Sequence, residues 1–184
     1  YMKTFGAFPS GGEKRFSPLE RTWTRPTIEI NGISGGYSGE GFKTVIPAKA
    51  LAKISCRLVP HQNPEKIAKK VAKFIKSRAP KGVEVNVHIH PGGGSAVRAN
   101  PHSKIVQAFS KAYQEVFKTP CAFTYSGGSI PIIQELSEAS KGEVVLMGLG
   151  LPDDQIHAPN EHFGLDRIEK GYLIIARTLE LLAN

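Results

Sequence analysis

Apolar and polar residues alternate along three stretches in the first half of the chain. Residues 27–33 alternate in this way, as does the longer run at 50–59, and the pattern returns at 83–89. A period of two places the apolar side chains on one face of a strand. The sequence therefore predicts three strands, with a glycine-rich turn at 34–41 after the first.

Apolar residues at helical spacing predict four helices. The first begins after Asn63, whose side chain is suited to cap it, and has Pro64 at its first position. Two more are expected at 100–119 and at about 126–139. The last begins at a capping box at residues 166–169. The apolar stripe expected on this last helix consists of Tyr172, Ile175, Ala176, Leu179 and Leu182.

The order of these elements predicts two domains. Two strands, a helix and a third strand precede residue 94, an order typical of an antiparallel sheet backed by helices. Beyond it, helices alternate with short apolar strands at 121–125 and 143–147, as in an open α/β sheet. The predicted fold class is therefore α/β, more narrowly α+β, with domains at 1–94 and 95–184. Residues 1–24 have no clear period, and we expect a connecting segment there with a short turn.

Composition narrows the class of protein. The chain has 184 residues, of which 40% are hydrophobic, and this is enough to bury a core. Cys56 and Cys121 lie far apart inside apolar runs, which favours buried thiols in a reducing compartment. No apolar run approaches the roughly 20 residues of a transmembrane helix, and the start has no signal-peptide core. We therefore expect a cytoplasmic protein with no membrane partner, and the opening Tyr1-Met2 indicates a piece of a longer chain.

The net charge of +8 raises the possibility that the protein binds nucleic acid. No aromatic residues are interleaved with the basic ones for base stacking, and no nucleic-acid motif is present. The pattern favours a solvated helix face and no nucleic-acid partner. Much of the charge lies on one side of the first predicted helix, at Lys66, Lys69, Lys70, Lys73, Lys76 and Arg78.

The run at 149–163 is the first candidate for chemistry. It is rich in turn residues and lies between two apolar segments, the setting in which loops commonly carry functional groups. His157 is a candidate metal ligand there, with Asp153, Asp154 or Glu161 as co-ligands or as partners that orient its ring. The alternative is an acidic loop that is simply solvated, with His157 on the surface.

Two further sites are candidates for binding an anion. Gly127 and Gly128 allow a close approach of the backbone, and Ser129 offers a hydroxyl at an expected helix start. The alternative is that these residues form an ordinary turn between a strand and a helix and bind no ligand. Arg57 is suited to bind a carboxylate through two hydrogen bonds, and its alternative is an exposed strand residue.

Five ordered stretches together resemble a known family. The chain is similar to the di-zinc metallopeptidases that include carnosine-type cytosolic dipeptidases, glutamate carboxypeptidase, acetylornithine deacetylase and succinyl-diaminopimelate desuccinylase. The likeness is closest to the dipeptidase branch and runs from about Trp23 onward. The stretches are RPTIEINGI at 25–33, GYSGEGFKTVIP at 36–47, RLVP at 57–60, GGSIP at 127–131 and PDDQIHAPNE at 152–161.

The resemblance implies a division of the chain and a metal. Residues 1–94 would hold most of a ferredoxin-like dimerisation domain, and 95–184 would be the C-terminal α/β part of a catalytic domain. His157 would be the last ligand of a site for two zinc ions, or for manganese or cobalt. Asp153, Asp154 and Glu161 would then have supporting or structural roles.

The resemblance also implies where a substrate binds. Gly127, Gly128 and Ser129 would hold its C-terminal carboxylate. Thr44 and Arg57 would reach it from the dimerisation domain, partly across a homodimer.

Two departures from the family pattern bear on activity. Relatives of this kind commonly carry Arg-Glu where this chain has Tyr125-Ser126, so its substrate preference is expected to differ in detail. The family's other metal ligands and its general base are also absent from the sequence. Because zinc needs three or four protein ligands, we expect no catalytic residue in this chain and no activity from it alone.

The function that follows is the C-terminal portion of a zinc-dependent dipeptidase that hydrolyses dipeptides with a metal-activated water. One alternative is an N-acyl-amino-acid deacylase of the same family, acting on acyl amino acids instead of peptides. Another is a dimerisation module with no catalytic role.

Overall fold

The computed structural model describes residues 2, 6–8, 11–126 and 130–183. Two compact units divide the chain: Tyr1–Ala96 with Tyr125–Pro131, and Val97–Thr124 with Ile132–Asn184. The first unit holds α1 (Pro18–Trp23), β1 (Thr27–Gly35), β2 (Ala50–Arg57) and α2 (Pro64–Ser77), and the second holds α3 (Lys104–Phe117), α4 (Ile132–Ser140) and α5 (Leu165–Ala183).

In the first unit, β1 and β2 form an antiparallel ladder with a bulge at Asn31. Ile28 lies opposite Cys56 and Ile30 opposite Ile54, after which Asn31 has no partner and the pairing resumes. Because one extra residue in a strand resets the alternation of its side chains, the bulge keeps the next isoleucine, Ile33, on the same face. The antiparallel pairing predicted for this part of the chain is confirmed for these two strands.

A short helix precedes the sheet where we expected only a turn. The hydroxyl of Ser17 accepts a hydrogen bond from the Glu20 amide, and the Glu20 carboxylate accepts one from the Ser17 amide. This reciprocal capping box satisfies two backbone donors at the start of α1. The spacing Ser17-x-x-Glu20 is legible in the sequence, and it was the missed signal.

The start of α2 agrees with the prediction. The Asn63 side chain accepts a hydrogen bond of 2.9 Å from the Lys66 amide, and Pro64 occupies the first helical position. The helix ends at Ser77, shortly before Pro80, which cannot donate a backbone hydrogen bond. Gly82 adopts a φ of 84°, a left-handed conformation that favours glycine.

The second unit is built on the packing of α3 against α5. Ala112 and Ile174 are fully buried where the helices meet, and Val106 and Ala108 are nearly so. At the same junction, the Arg177 guanidinium donates a hydrogen bond of 2.6 Å from Nε to the Glu115 carboxylate. Small side chains on both helices allow this close approach.

The face of α5 that is buried differs from the one predicted. The buried residues of this helix are Arg167, Gly171, Ile174 and Thr178. Of the expected apolar stripe, Tyr172 and Leu179 are 71% and 63% exposed. Apolar periodicity pointed to the wrong side because the buried face of α5 includes a glycine and a threonine, which hydropathy scales rank low.

Three predicted strands do not form regular structure. Residues 83–89, 121–125 and 143–147 are neither strand nor helix in the structure. The expected open sheet of the second unit is therefore not seen among its described residues. Alternation shows which side chains share a face, but a strand also needs a neighbouring strand to receive its hydrogen bonds.

Two helix starts also differ from the prediction. The helix expected from residue 100 begins after Ser103, which caps it, and the helix expected from residue 126 begins at Ile132.

None of the helices in the described part of the chain is long and apolar enough to cross a membrane.

Candidate functional site

The loop at 149–163 is organised by a buried ion pair. Arg167 donates two hydrogen bonds to the Asp154 carboxylate, of 2.5 Å from Nη1 and 2.6 Å from Nη2. Only 2% of Asp154 and 8% of Arg167 is exposed. A planar guanidinium bound through two parallel bonds fixes the direction of the carboxylate as well as its distance.

The same carboxylate shapes the loop locally. The Leu151 amide donates a 2.8 Å hydrogen bond to it, and the Asp154 amide donates back to the Leu151 carbonyl at 3.1 Å. The bond with Arg167, and next the bond with the Leu151 amide, lower the pKa of the Asp154 carboxyl from its ordinary 3.8 to about 2. The carboxylate is therefore charged at neutral pH and accepts hydrogen bonds only.

His157 lies within a segment whose two ends are joined by a hydrogen bond. The His162 amide donates a 3.0 Å hydrogen bond to the Asp154 carbonyl, which brings the two ends of the segment 154–162 together. The His157 side chain is exposed, and its backbone φ of 63° lies in the left-handed region. Histidine, asparagine and aspartate adopt that region more readily than most residues do.

His157 is a single candidate metal ligand. In the described ranges 11–126 and 130–183, no three histidine, cysteine, aspartate or glutamate side chains come together as a metal site. Asp154, one of the co-ligands considered from the sequence, is buried against Arg167. Since one imidazole does not satisfy a zinc ion, these residues do not form a complete metal site.

Of the two substrate candidates of the first unit, Arg57 lies on the sheet and Thr44 lies in the loop that joins its two strands. Arg57 is the last residue of β2 and lies opposite Thr27. Thr44 is exposed in the loop 36–49, which leaves the ladder at the other end, beside Gly35. The eight residues of β2 separate that end from Arg57, a span of about 25 Å at the rise of a strand.

Arg57 ends the polar face of the ladder. Glu29 and Ser55 face each other next to the pair that contains Arg57, and the Ser55 hydroxyl donates a 3.4 Å hydrogen bond to the Glu29 carboxylate. The Thr27 hydroxyl also donates to Glu29. The carboxylate lies in a network of hydroxyl donors, with a guanidinium at the edge of the same face.

The candidate carboxylate-binding residues Gly127, Gly128 and Ser129 lie outside the described residues. The helix after them begins at Ile132, three residues beyond Ser129.

Comparison with known proteins identifies the first unit. Residues 6–83 match the family described as the peptidase dimerisation domain. This part of the chain is a peptidase dimerisation domain. The resemblance drawn from the sequence is confirmed, and the match begins at residue 6, earlier than the expected start near Trp23.

Two relatives that the chain matches are peptidases by name. The chain is 32% identical to a Cys-Gly metallodipeptidase of Schizosaccharomyces pombe over 90% of its length, and 33% identical to the human Beta-Ala-His dipeptidase over 78%. It covers only 35% and 29% of those two proteins. A crystal structure of an M20 family metallo-carboxypeptidase from Sulfolobus solfataricus matches 98% of the chain and 41% of its own, with a TM-score of 0.81 and 27% identity.

Reasoning from sequence missed the role of Arg167. The family resemblance rests on five ordered motifs, each a run of neighbouring residues, whereas Asp154 and Arg167 lie 13 residues apart on a loop and a helix. No local spacing rule connects two such positions. A hint was present, since Arg167 shares a helical face with Gly171, Ile174 and Thr178.

Proposed function

We propose that the whole protein, of which this chain is a portion, is a metal-dependent dipeptidase. The observation that carries the proposal is the similarity of nine-tenths of the chain to a Cys-Gly metallodipeptidase, joined to a peptidase dimerisation domain. Its metal is zinc, it acts as a homodimer, and its location is cytoplasmic. Each of these properties is part of the proposal.

The proposed division of labour follows the two units. Residues 1–94 serve dimerisation and 95–184 belong to the catalytic domain, which is supported by the change of unit between Ala96 and Val97. His157 supplies one metal ligand, which is supported by its exposed ring on a loop held by a buried ion pair.

Substrate binding is assigned to residues of both parts. Gly127, Gly128 and Ser129 bind the carboxylate of the dipeptide, and Arg57 adds a guanidinium. Thr44 and Arg57 reach the substrate from the dimerisation domain, partly across the homodimer. Arg57 lies at one end of the ladder, and the loop that carries Thr44 leaves the ladder at the other end, which supports giving these two residues separate contacts with the substrate.

The proposal is tested with the purified whole protein. Hydrolysis is measured on a panel of dipeptides and on N-acyl amino acids, before and after treatment with a chelator and after zinc is added back. We expect dipeptide hydrolysis that is lost on chelation and restored by zinc. The variant His157→Ala should lose bound zinc and activity, and His102→Ala, an exposed histidine outside the loop, should keep both.

Each contrary result has a separate meaning. Hydrolysis of acyl amino acids with none of dipeptides would establish the deacylase alternative. No hydrolysis of either class by a correctly folded dimer would leave a dimerisation module. A His157→Ala variant with full zinc content would remove this residue from the metal site.

A further inference from the structure

A single guanidinium contacts the loop 149–163 at its start, its middle and its end. Arg167 Nη1 donates a 3.0 Å hydrogen bond to the Leu149 carbonyl, in addition to the two bonds with Asp154. Its Cζ lies 4.3 Å from the centre of the Phe163 ring. One side chain of α5 thus joins three points of the loop that are far apart along the chain.

The contacts of Asp154 extend this arrangement around His157. Its carboxylate holds the Leu151 amide, and its carbonyl holds the His162 amide. The segment 155–161 is therefore closed at its base by groups that Arg167 fixes. His157 lies three residues from Asp154, within that closed segment.

The burial of the Asp154–Arg167 ion pair explains why the pair can hold the loop in one conformation. Asp154 and Arg167 are almost wholly shielded from water, so no solvent molecule replaces either partner without rearrangement. Removing one partner leaves a buried charge unpaired, and the loop must then open to hydrate it. A largely exposed pair on the same helix, such as Lys170 with Asp166, has no such consequence.

We propose that Arg167 is a positioning residue, which acts through Asp154 to hold the loop 149–163 in the conformation that presents His157. The inference rests on the proposed function, in which His157 takes part in dipeptide hydrolysis. The claim that Arg167 holds the loop can be tested separately from that function, because the conformation of the loop is measurable without any substrate. A misplacement of about 1 Å in a reacting group is enough to cost about 100-fold in rate.

The first measurement is hydrogen exchange in the whole protein. In the wild type, we expect the amides of Leu151, Asp154 and His162 to exchange as slowly as those in the buried part of α3, despite lying in a loop. In Arg167→Lys the positive charge stays but the two parallel bonds are lost, so these amides should exchange much faster. Asp154→Asn removes the charge and should have the same effect.

The second measurement is dipeptide hydrolysis by the same variants. We expect kcat/KM to fall about 100-fold in Arg167→Lys, with most of the loss in kcat. Arg177→Lys is the matched control, because Arg177 lies on the same helix and binds Glu115 away from the loop. It should leave loop exchange and kcat/KM near the wild-type values.

Four outcomes decide the matter. Fast exchange of the Leu151, Asp154 and His162 amides in the wild type would overturn the inference even if no variant can be purified. So would Arg167→Lys with unchanged loop exchange and kcat/KM, or Arg177→Lys with losses as large. If His157→Ala is fully active, the proposed function fails, while faster loop exchange in Arg167→Lys would still establish that Arg167 holds the loop.

Discussion

Gly171 of α5 lies directly against the side chain of Leu149. A Cβ atom added at Gly171 would come within 2.6 Å of Leu149 Cδ1, closer than real carbon atoms approach. A side chain at position 171 would therefore displace the Leu149 side chain, where the loop 149–163 begins. The absence of a side chain at position 171 is what lets the start of the loop rest on the helix.

Substitution of Gly171 tests this contact. In an open helix, replacing glycine by alanine stabilises by about 1 kcal/mol, but here the gain is offset by the displacement of Leu149. Gly171→Val adds two further methyl groups and should destabilise by about 1–3 kcal/mol through overpacking. Urea unfolding followed by circular dichroism measures both. Tyr172→Val, at the exposed neighbouring position, is the control and should change little.

Acid stability should report the buried carboxylate. The pKa of Asp154 is about 2 in the folded chain, against 3.8 ordinarily, so the unfolded chain binds more protons between these values. The stabilisation is present above about pH 4 and is lost as the pH falls towards about 2. In urea titrations at several pH values, wild type should lose more stability over this range than Asp154→Asn. Parallel curves would contradict the depressed pKa.

The cap of α2 can be tested alone. Asn63→Ala removes the acceptor for the Lys66 amide and should lower stability by about 1 kcal/mol, while Asn63→Asp should retain it. Thermal unfolding monitored by circular dichroism gives both values. Equal stability of the alanine and aspartate variants would show that the cap contributes nothing.

A cross-link can verify the register of β1 and β2. Ile28 lies opposite Cys56, and opposite residues in an antiparallel pair are within the range that a disulfide spans. Ile28→Cys should therefore form a disulfide with Cys56 under mild oxidation, detected by mass spectrometry of tryptic peptides. Thr27→Cys presents its thiol on the other face and should not form it. Cross-linking of both variants alike would mean that the register is wrong.

The proposed role of Arg57 predicts a specific kinetic change. A charged hydrogen bond to a substrate carboxylate contributes roughly 1.5–3 kcal/mol, so Arg57→Ala should lower kcat/KM for dipeptides about 10- to 100-fold. The loss should fall mainly on KM, and Arg57→Lys should recover part of it. A dipeptide amide, which lacks the carboxylate, should be far less sensitive to the substitution. Equal losses on both substrates would exclude carboxylate binding.

Local signals predicted the local structure well. The Asn63 cap with Pro64 fixed the start of α2, and alternation located β1 and β2, because both depend on neighbours within a few residues. The bulge at Asn31 was not predicted, although the sequence carries a signal for it, since the spacing of isoleucines changes from two to three between Ile30 and Ile33.

Contacts between residues far apart in the sequence could not be predicted from these local signals. The strand predicted at 83–89 satisfies the periodicity rule, but no described strand pairs with it. The contact of Arg167 with Asp154 needs the fold of the second unit to bring a loop onto a helix. The family resemblance pointed to His157 from its motif, but not to the side chains beneath the loop.

The buried face of α5 carries Arg167, Gly171, Ile174 and Thr178, at intervals of four, three and four residues. Arg167 and Gly171 meet the loop, and Ile174 is buried where α5 packs on α3. Each residue added to an α-helix turns everything beyond it by about 100°. A single insertion between Gly171 and Ile174 would therefore rotate the part of α5 that packs on α3 by about 100° relative to the part that contacts the loop, and both contacts could not form together. The length of this segment is as strictly constrained as the identity of any side chain in it.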